Sequence, residues 1–98
     1  MMTFERVLQV FAGYLREDAD VDVIRTRQGY SLMVWDGAAG NWSRAEFCET
    51  PEILCGLLCD VYADYLELEI TRAQRELTRT EQAGINAERR KMEERCLE

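Results

Sequence analysis

Histidine is absent from this 98-residue chain, and proline and lysine each occur once, at Pro51 and Lys91. Histidine is the side chain that most often acts as a general base near neutral pH, so its absence removes the commonest form of acid–base catalysis. The short loop from Gly37 to Gly40 leads into a predicted strand and lacks a following Lys-Ser/Thr, so it does not match a phosphate-binding loop. We therefore expect no enzymatic activity and no cofactor.

Long apolar runs are also missing. No run approaches the roughly 20 residues that a helix needs to cross a bilayer. The first six residues, Met1–Arg6, do not combine a basic stretch with an apolar one, so we expect no signal peptide. These features predict a cytoplasmic protein that does not associate with membranes.

The four cysteines contain no C-x-x-C pair; they are Cys48, Cys55, Cys59 and Cys96. Without that spacing and without histidine, a zinc site is disfavoured. Cys55 and Cys59 are four residues apart on a predicted helix, where they are either core residues or a redox pair. In a cytoplasmic protein we expect four reduced, partly buried thiols and no bound metal.

Hydrophobic periodicity predicts an α+β fold of order α-β-β-β-α-α, in which a three-stranded antiparallel sheet packs on helices. Short connections favour antiparallel pairing of consecutive strands. Thr50-Pro51-Glu52 has the features of a helix start, and Thr78–Glu81 matches a capping box. The predicted helices are 3–17, 51–71 and 79–96, and the predicted strands are 21–27, 30–36 and 42–47.

We divide the chain into a core domain, 1–76, and a polar C-terminal helix, 77–98, which we expect to be peripheral or to mediate an interaction. The apolar positions of that helix are few, and a basic residue interrupts them. A helix of this kind is weakly held or packs against another chain. The candidate residues for self-association are Ile85, Arg89, Met92 and Cys96.

The middle of the chain resembles a known group of proteins. The residues that carry the resemblance are Gly29-Tyr30-x-Leu32-x-Val34-Trp35-Asp36, then Trp42, then Thr50-Pro51-Glu52-x-Leu54. They are similar to small uncharacterised acidic proteins of gut anaerobic bacteria and of their prophages and mobile elements, over residues 2–70. The resemblance implies a setting, in which many small acidic proteins inhibit host-defence enzymes, and carries no activity over to any residue.

The net charge of −7 makes direct binding to nucleic acid unfavourable. The excess is concentrated in residues 51–76, which hold six acidic and two basic residues. These carboxylates either form an ordinary solvated surface or occupy a basic groove of a partner in place of nucleic acid. The candidate residues are Glu52, Asp60, Asp64, Glu67, Asp18, Asp20 and Asp22.

A second candidate surface is aromatic. Alternation along the second strand places Met33 and Trp35 on the face opposite Leu32 and Val34, with Trp42 across the hairpin. This face is either an exposed partner site or a secondary core covered by the last helix.

The leading hypothesis is a non-catalytic protein that binds another protein. Its partner would be a nucleic-acid-processing host-defence enzyme, inhibited in the manner of an anti-CRISPR protein. The alternative is a structural or assembly protein that self-associates as a homodimer through its C-terminal helix. An enzyme is the weakest hypothesis.

Overall fold

The computed structural model describes all 98 residues and has the α+β architecture that the sequence predicts. The element order α-β-β-β-α-α is confirmed, with the first helix divided into two segments. The elements are α1 Phe4–Val10, α2 Ala12–Glu17, β1 Val21–Thr26, β2 Gly29–Asp36, β3 Asn41–Cys48, α3 Pro51–Thr71 and α4 Arg79–Leu97.

The first helix begins at a capped residue and is interrupted near its middle. The Thr3 hydroxyl accepts a hydrogen bond from the Arg6 N–H at 3.1 Å, which satisfies one free donor of the first turn. Phe11 lies between α1 and α2 with φ −92° and ψ 5°. Its side chain is fully buried, so the interruption lies at a core position. Periodicity alone predicted one continuous helix, because the apolar stripe runs through the interruption.

The sheet has the order β1-β2-β3 with both pairs antiparallel. One face packs on the helices through Val21, Leu32 and Cys48, all of which are buried. The alternate residues point to the opposite face, which no helix covers, as the exposure of Ile24 and Phe47 indicates. The molecule is therefore a two-layer structure with one bare sheet face.

Helix α3 provides the centre of the core. Thr50 caps it by accepting from the Ile53 N–H at 3.2 Å, and Pro51 occupies its first turn. The spacing of the apolar residues along this helix predicts a buried stripe of Leu54, Leu57, Leu58, Val61, Tyr65 and Leu68. Leu54 and Leu58 are buried, as predicted, whereas the predicted burial of Leu68 is wrong, since this side chain is 55% exposed. Leu68 lies in the last turns of α3, where it lines an open cleft instead of the core.

Helix α4 packs across α3 and α1. Its capping box is complete, because Thr78 accepts from the Glu81 N–H and the Glu81 carboxylate accepts from the Thr78 N–H. Met92 and Cys96 belong to the same core cluster as α1 and α3. The buried side chains of α4 therefore pack in the same core as residues 1–76, although they lie beyond the boundary predicted at residue 76.

Candidate functional site

An open cleft of about 300 Å³ lies between the edge of the sheet and the last turns of α3. Three carboxylates line it: Asp18 and Asp20 come from the turn between α2 and β1, and Asp64 comes from α3. The remaining lining residues are apolar or aromatic: Val21, Val34, Trp35, Val61, Tyr65 and Leu68. We call this feature the acidic cleft.

The turn that carries two of these carboxylates is fixed by hydrogen bonds. Asp18 Oδ1 accepts from the Asp20 N–H at 3.1 Å, and Asp18 Oδ2 accepts from the Tyr14 hydroxyl at 2.7 Å. The Asp20 carbonyl accepts from the Trp35 N–H at 2.7 Å, which ties the turn to β2. Burial and the hydrogen bond to Asp18 raise the pKa of Tyr14. The Asp18 carboxylate and the backbone of Asp20 are therefore held in place before any partner arrives.

No basic side chain lines the acidic cleft, and none of its three carboxylates forms a salt bridge. Three like charges around an apolar wall create a negative potential that is not neutralised within the chain. The group that best complements such a cleft is a cation on an apolar stem, as in an arginine or lysine side chain.

The other predicted acidic residues do not contribute to this cleft. Asp60 is neutralised by Arg89, whose Nη2 donates to Asp60 Oδ1 at 2.7 Å. Glu52, Glu67 and Asp22 are exposed, and they lie outside the lining of the cleft. The structure thus brings together Asp18, Asp20 and Asp64 from the predicted set of seven and leaves the other four apart.

The predicted aromatic face lies beside the cleft. A bulge at Ser43 brings Trp42 opposite Trp35, and the two rings meet edge to face with centroids 5.1 Å apart. Trp42 is 47% exposed, whereas Met33 and Trp35 are half-buried. Trp35 also lines the acidic cleft. The acidic and aromatic candidate surfaces are therefore contiguous at Trp35. Helix α4 packs on α3 and α1 in the other layer, so it does not cover the aromatic face.

The residues proposed for self-association lie inside the chain. Ile85, Met92 and Cys96 are at most 6% exposed, and Arg89 is engaged by Asp60 and by the Cys59 carbonyl. The thin apolar seam of α4 is thus already occupied by α1 and α3, and in this conformation it offers no surface to a second copy.

Three of the four cysteines meet where α4 packs on α3. All four thiols are free and buried. The neighbouring Cys59 thiol holds the pKa of Cys55 below its ordinary value, whereas Cys55 and burial raise the pKa of Cys59, and burial raises the pKa of Cys96. Cys48 lies apart, and burial raises its pKa. No group of three or more histidine, cysteine or acidic side chains is arranged to hold a metal ion.

Sequence reasoning missed the apolar walls of the cleft. Val21 and Val34, which pair across β1 and β2, and Val61 of α3 all have the pattern of core residues, yet each of them lines the cleft. One signal of the cleft was present in the sequence: Leu68 is an apolar residue in the last turns of α3, and its side chain lines the cleft.

Comparison with known proteins adds no relative: no family model matches the chain, and neither the curated proteins nor the solved structures contain a significant match. Each helix is too short or too polar to span a lipid bilayer.

Proposed function

We propose that this chain is a non-catalytic protein-binding protein, and that its contact surface is the acidic cleft together with the adjoining Trp35–Trp42 pair. The observation that supports the proposal most directly is the convergence of Asp18, Asp20 and Asp64, without basic neighbours, on one apolar-walled cleft. Charged clefts of this kind select partners of opposite charge and speed their association.

The partner that this chemistry favours is a protein with a basic groove. Arginine and lysine side chains line the grooves of nucleic-acid-processing enzymes because they neutralise phosphates. A surface that presents carboxylates can occupy such a groove in place of nucleic acid. The proposed role is inhibition of an enzyme of this class, in the mobile-element setting that the sequence resemblance implies.

Trp35 and Trp42 supply the apolar part of the proposed contact. Aromatic residues at the centre of an interface often carry a large share of its binding energy. An edge-to-face pair is held by its own packing, so little side-chain entropy is lost on binding. The carboxylates would then set the choice and the rate of association, and the tryptophans would slow dissociation.

Affinity capture with matched variants tests the proposal. The Asp20→Asn/Asp64→Asn variant removes two charges from the cleft, and the Asp22→Asn/Glu67→Gln variant removes two exposed charges outside it. We expect the unaltered chain and the second variant to retain basic nucleic-acid-binding proteins from a host lysate, identified by quantitative mass spectrometry, and the cleft variant to lose them.

Two results would argue against the proposal. Equal losses with both variants would mean that net charge alone drives the capture. Retention of the same proteins by all three chains would place the contact elsewhere.

A further inference from the structure

A second cavity, of about 330 Å³, lies among α2, α3 and α4 and is separate in its chemistry from the acidic cleft. Its wall contains three tyrosines, Tyr14, Tyr62 and Tyr65, of which Tyr65 also lines the cleft. The Tyr14 ring lies 5.1 Å from the Tyr62 ring and 5.3 Å from the Tyr65 ring, centroid to centroid. These rings form a continuous aromatic wall on one side of the cavity.

The hydroxyl groups of that wall are already engaged. Tyr14 donates to Asp18, Tyr62 donates to Glu88 at 3.5 Å, and Tyr65 donates to Glu17 at 3.4 Å. Glu17 and Glu88 also line the cavity. The acceptor capacity of these carboxylates is thus partly used by the tyrosines. Tyr14 is buried, so the half-buried rings of Tyr62 and Tyr65 are the parts of the wall that a ligand can reach.

Two cations on α4 face the same cavity and have no carboxylate partner. Lys91, the only lysine of the chain, and Arg95 are four residues apart, so they share one side of the helix. Neither forms a salt bridge, although the chain carries a net charge of −7. The one side-chain hydrogen bond of Arg95 is a weak contact of its Nη1 with Met92 Sδ at 3.7 Å.

The remaining boundary leaves room for a ligand. Gly13 lines the cavity from α2, and a methyl group at this position would meet no atom within 4 Å. The volume lies at the lower end of the range that small-molecule sites occupy, about 300–1,000 Å³. It suits a compound with a single aromatic ring and a short side group.

From these features we infer that the cavity is a binding site for a small organic anion, whose planar apolar body packs on the tyrosine wall and whose anionic group is held by Lys91 and Arg95. A carboxylate or phosphate between the two cations makes charge-assisted hydrogen bonds, which are the strong ones in proteins. The planar part of the ligand replaces water on the ring faces. The site uses a different set of charges from the proposed protein-binding surface, and the two adjoin at Tyr65, which lines both.

Titration of ¹⁵N-labelled protein with benzoate tests this inference. Two related compounds test separately the contributions of the anionic group and of the aromatic ring. Benzoate should bind saturably and shift the amide signals of residues 13, 62, 65 and 88–95. Acetate keeps the charge without the ring, and benzyl alcohol keeps the ring without the charge. Both should bind at least about tenfold more weakly, since each lacks one of the two contributions.

Variants of α4 test whether Lys91 and Arg95 hold the anionic group of the ligand. Lys91→Gln and Arg95→Gln should each weaken benzoate binding by about tenfold, the loss of one charge-assisted hydrogen bond. Arg90→Gln is the matched control, since it removes the same charge from an exposed residue of the same helix outside the cavity. The affinity of the Arg90→Gln protein for benzoate should equal that of the unaltered chain. All three substitutions are at surface positions, so folding can be verified in the same spectra.

Three results would overturn the inference. The first is the absence of saturable shifts at this site with benzoate. The second is acetate or benzyl alcohol binding there as tightly as benzoate. The third is an equal loss of benzoate affinity in the Arg90→Gln and Lys91→Gln proteins, which would mean that overall charge, and not a specific contact, drives the binding.

Discussion

Replacement of Met92 by alanine should destabilise the whole fold. Met92 is 6% exposed and belongs to the single core cluster that also contains residues of α1 and α3. Truncation of a buried methionine to alanine removes apolar contacts and leaves a cavity, at a cost of about 2–5 kcal/mol. Domains of this size have a total stability of about 5–15 kcal/mol, so the loss is a large fraction of it.

The measurement is urea denaturation followed by circular dichroism. A small domain has an m-value of about 1–2 kcal/mol/M in urea, so the midpoint should fall by about 1 M or more. Leu97→Ala is the matched control: this residue lies on the same helix and is 59% exposed. The midpoint of the control should change little, because surface substitutions usually stay within about 0.5 kcal/mol.

The same experiment distinguishes an intramolecular α4 from an oligomer interface. If Met92 packs within its own chain, the midpoint is independent of protein concentration, and light scattering gives the mass of a monomer. A midpoint that rises with concentration, together with a loss of dimer in the Met92→Ala protein, would refute the reasoning. A loss no larger than that of Leu97→Ala would mean that α4 is peripheral, as the sequence alone suggested.

Three further predictions concern local features. Gly29 has φ +136° and lies against the Phe47 ring, so Gly29→Ala should lower the free energy of unfolding by about 1–3 kcal/mol in urea denaturation, whereas Gly37→Ala, at a position without positive φ, should have little effect. The Arg75 guanidinium and the Thr78 N–H lower the pKa of Glu81 to about 2. The stability that this carboxylate adds is therefore complete above its ordinary pKa near 4.5 and is lost as the pH falls through the lowered value. Glu81→Gln should destabilise the protein at pH 7, and the difference in stability should shrink steadily as the pH falls below 4.5. The four buried thiols should react with a maleimide only after unfolding, and elemental analysis should find no stoichiometric zinc; fast labelling of the native protein or one equivalent of metal would contradict this.

The sequence predicts the fold well because its local signals agree with one another. Thr50-Pro51 and the Thr78–Glu81 capping box begin helices in the structure as they do in the pattern. Alternation along β2 likewise places Leu32 in the core. Each of these signals acts within a few residues, so the amino-acid order alone is sufficient to find it.

The placement of α4 and the composition of the cleft could not be predicted in this way. Ile85, Met92 and Cys96 form a thin seam that is compatible with either its own core or another chain, and only the packing of α4 on α3 decides between them. The pairing of Asp60 with Arg89 joins residues 29 positions apart. The acidic residues predicted on α3 therefore do not act as one surface: Arg89 of α4 neutralises Asp60, whereas Asp64 remains open in the cleft.

The measurement that tests the central claim most directly is an NMR titration of the protein with a short peptide of alternating leucine and arginine. The account predicts that amide shifts concentrate at residues 18–21, 34–35 and 61–68, and that the affinity falls as the salt is raised from about 0.05 M to about 0.5 M. The Asp20→Asn/Asp64→Asn protein should bind about tenfold or more weakly, and the Asp22→Asn/Glu67→Gln protein should bind as the unaltered chain does. Shifts on another surface, or equal weakening by the two variants, would contradict the account.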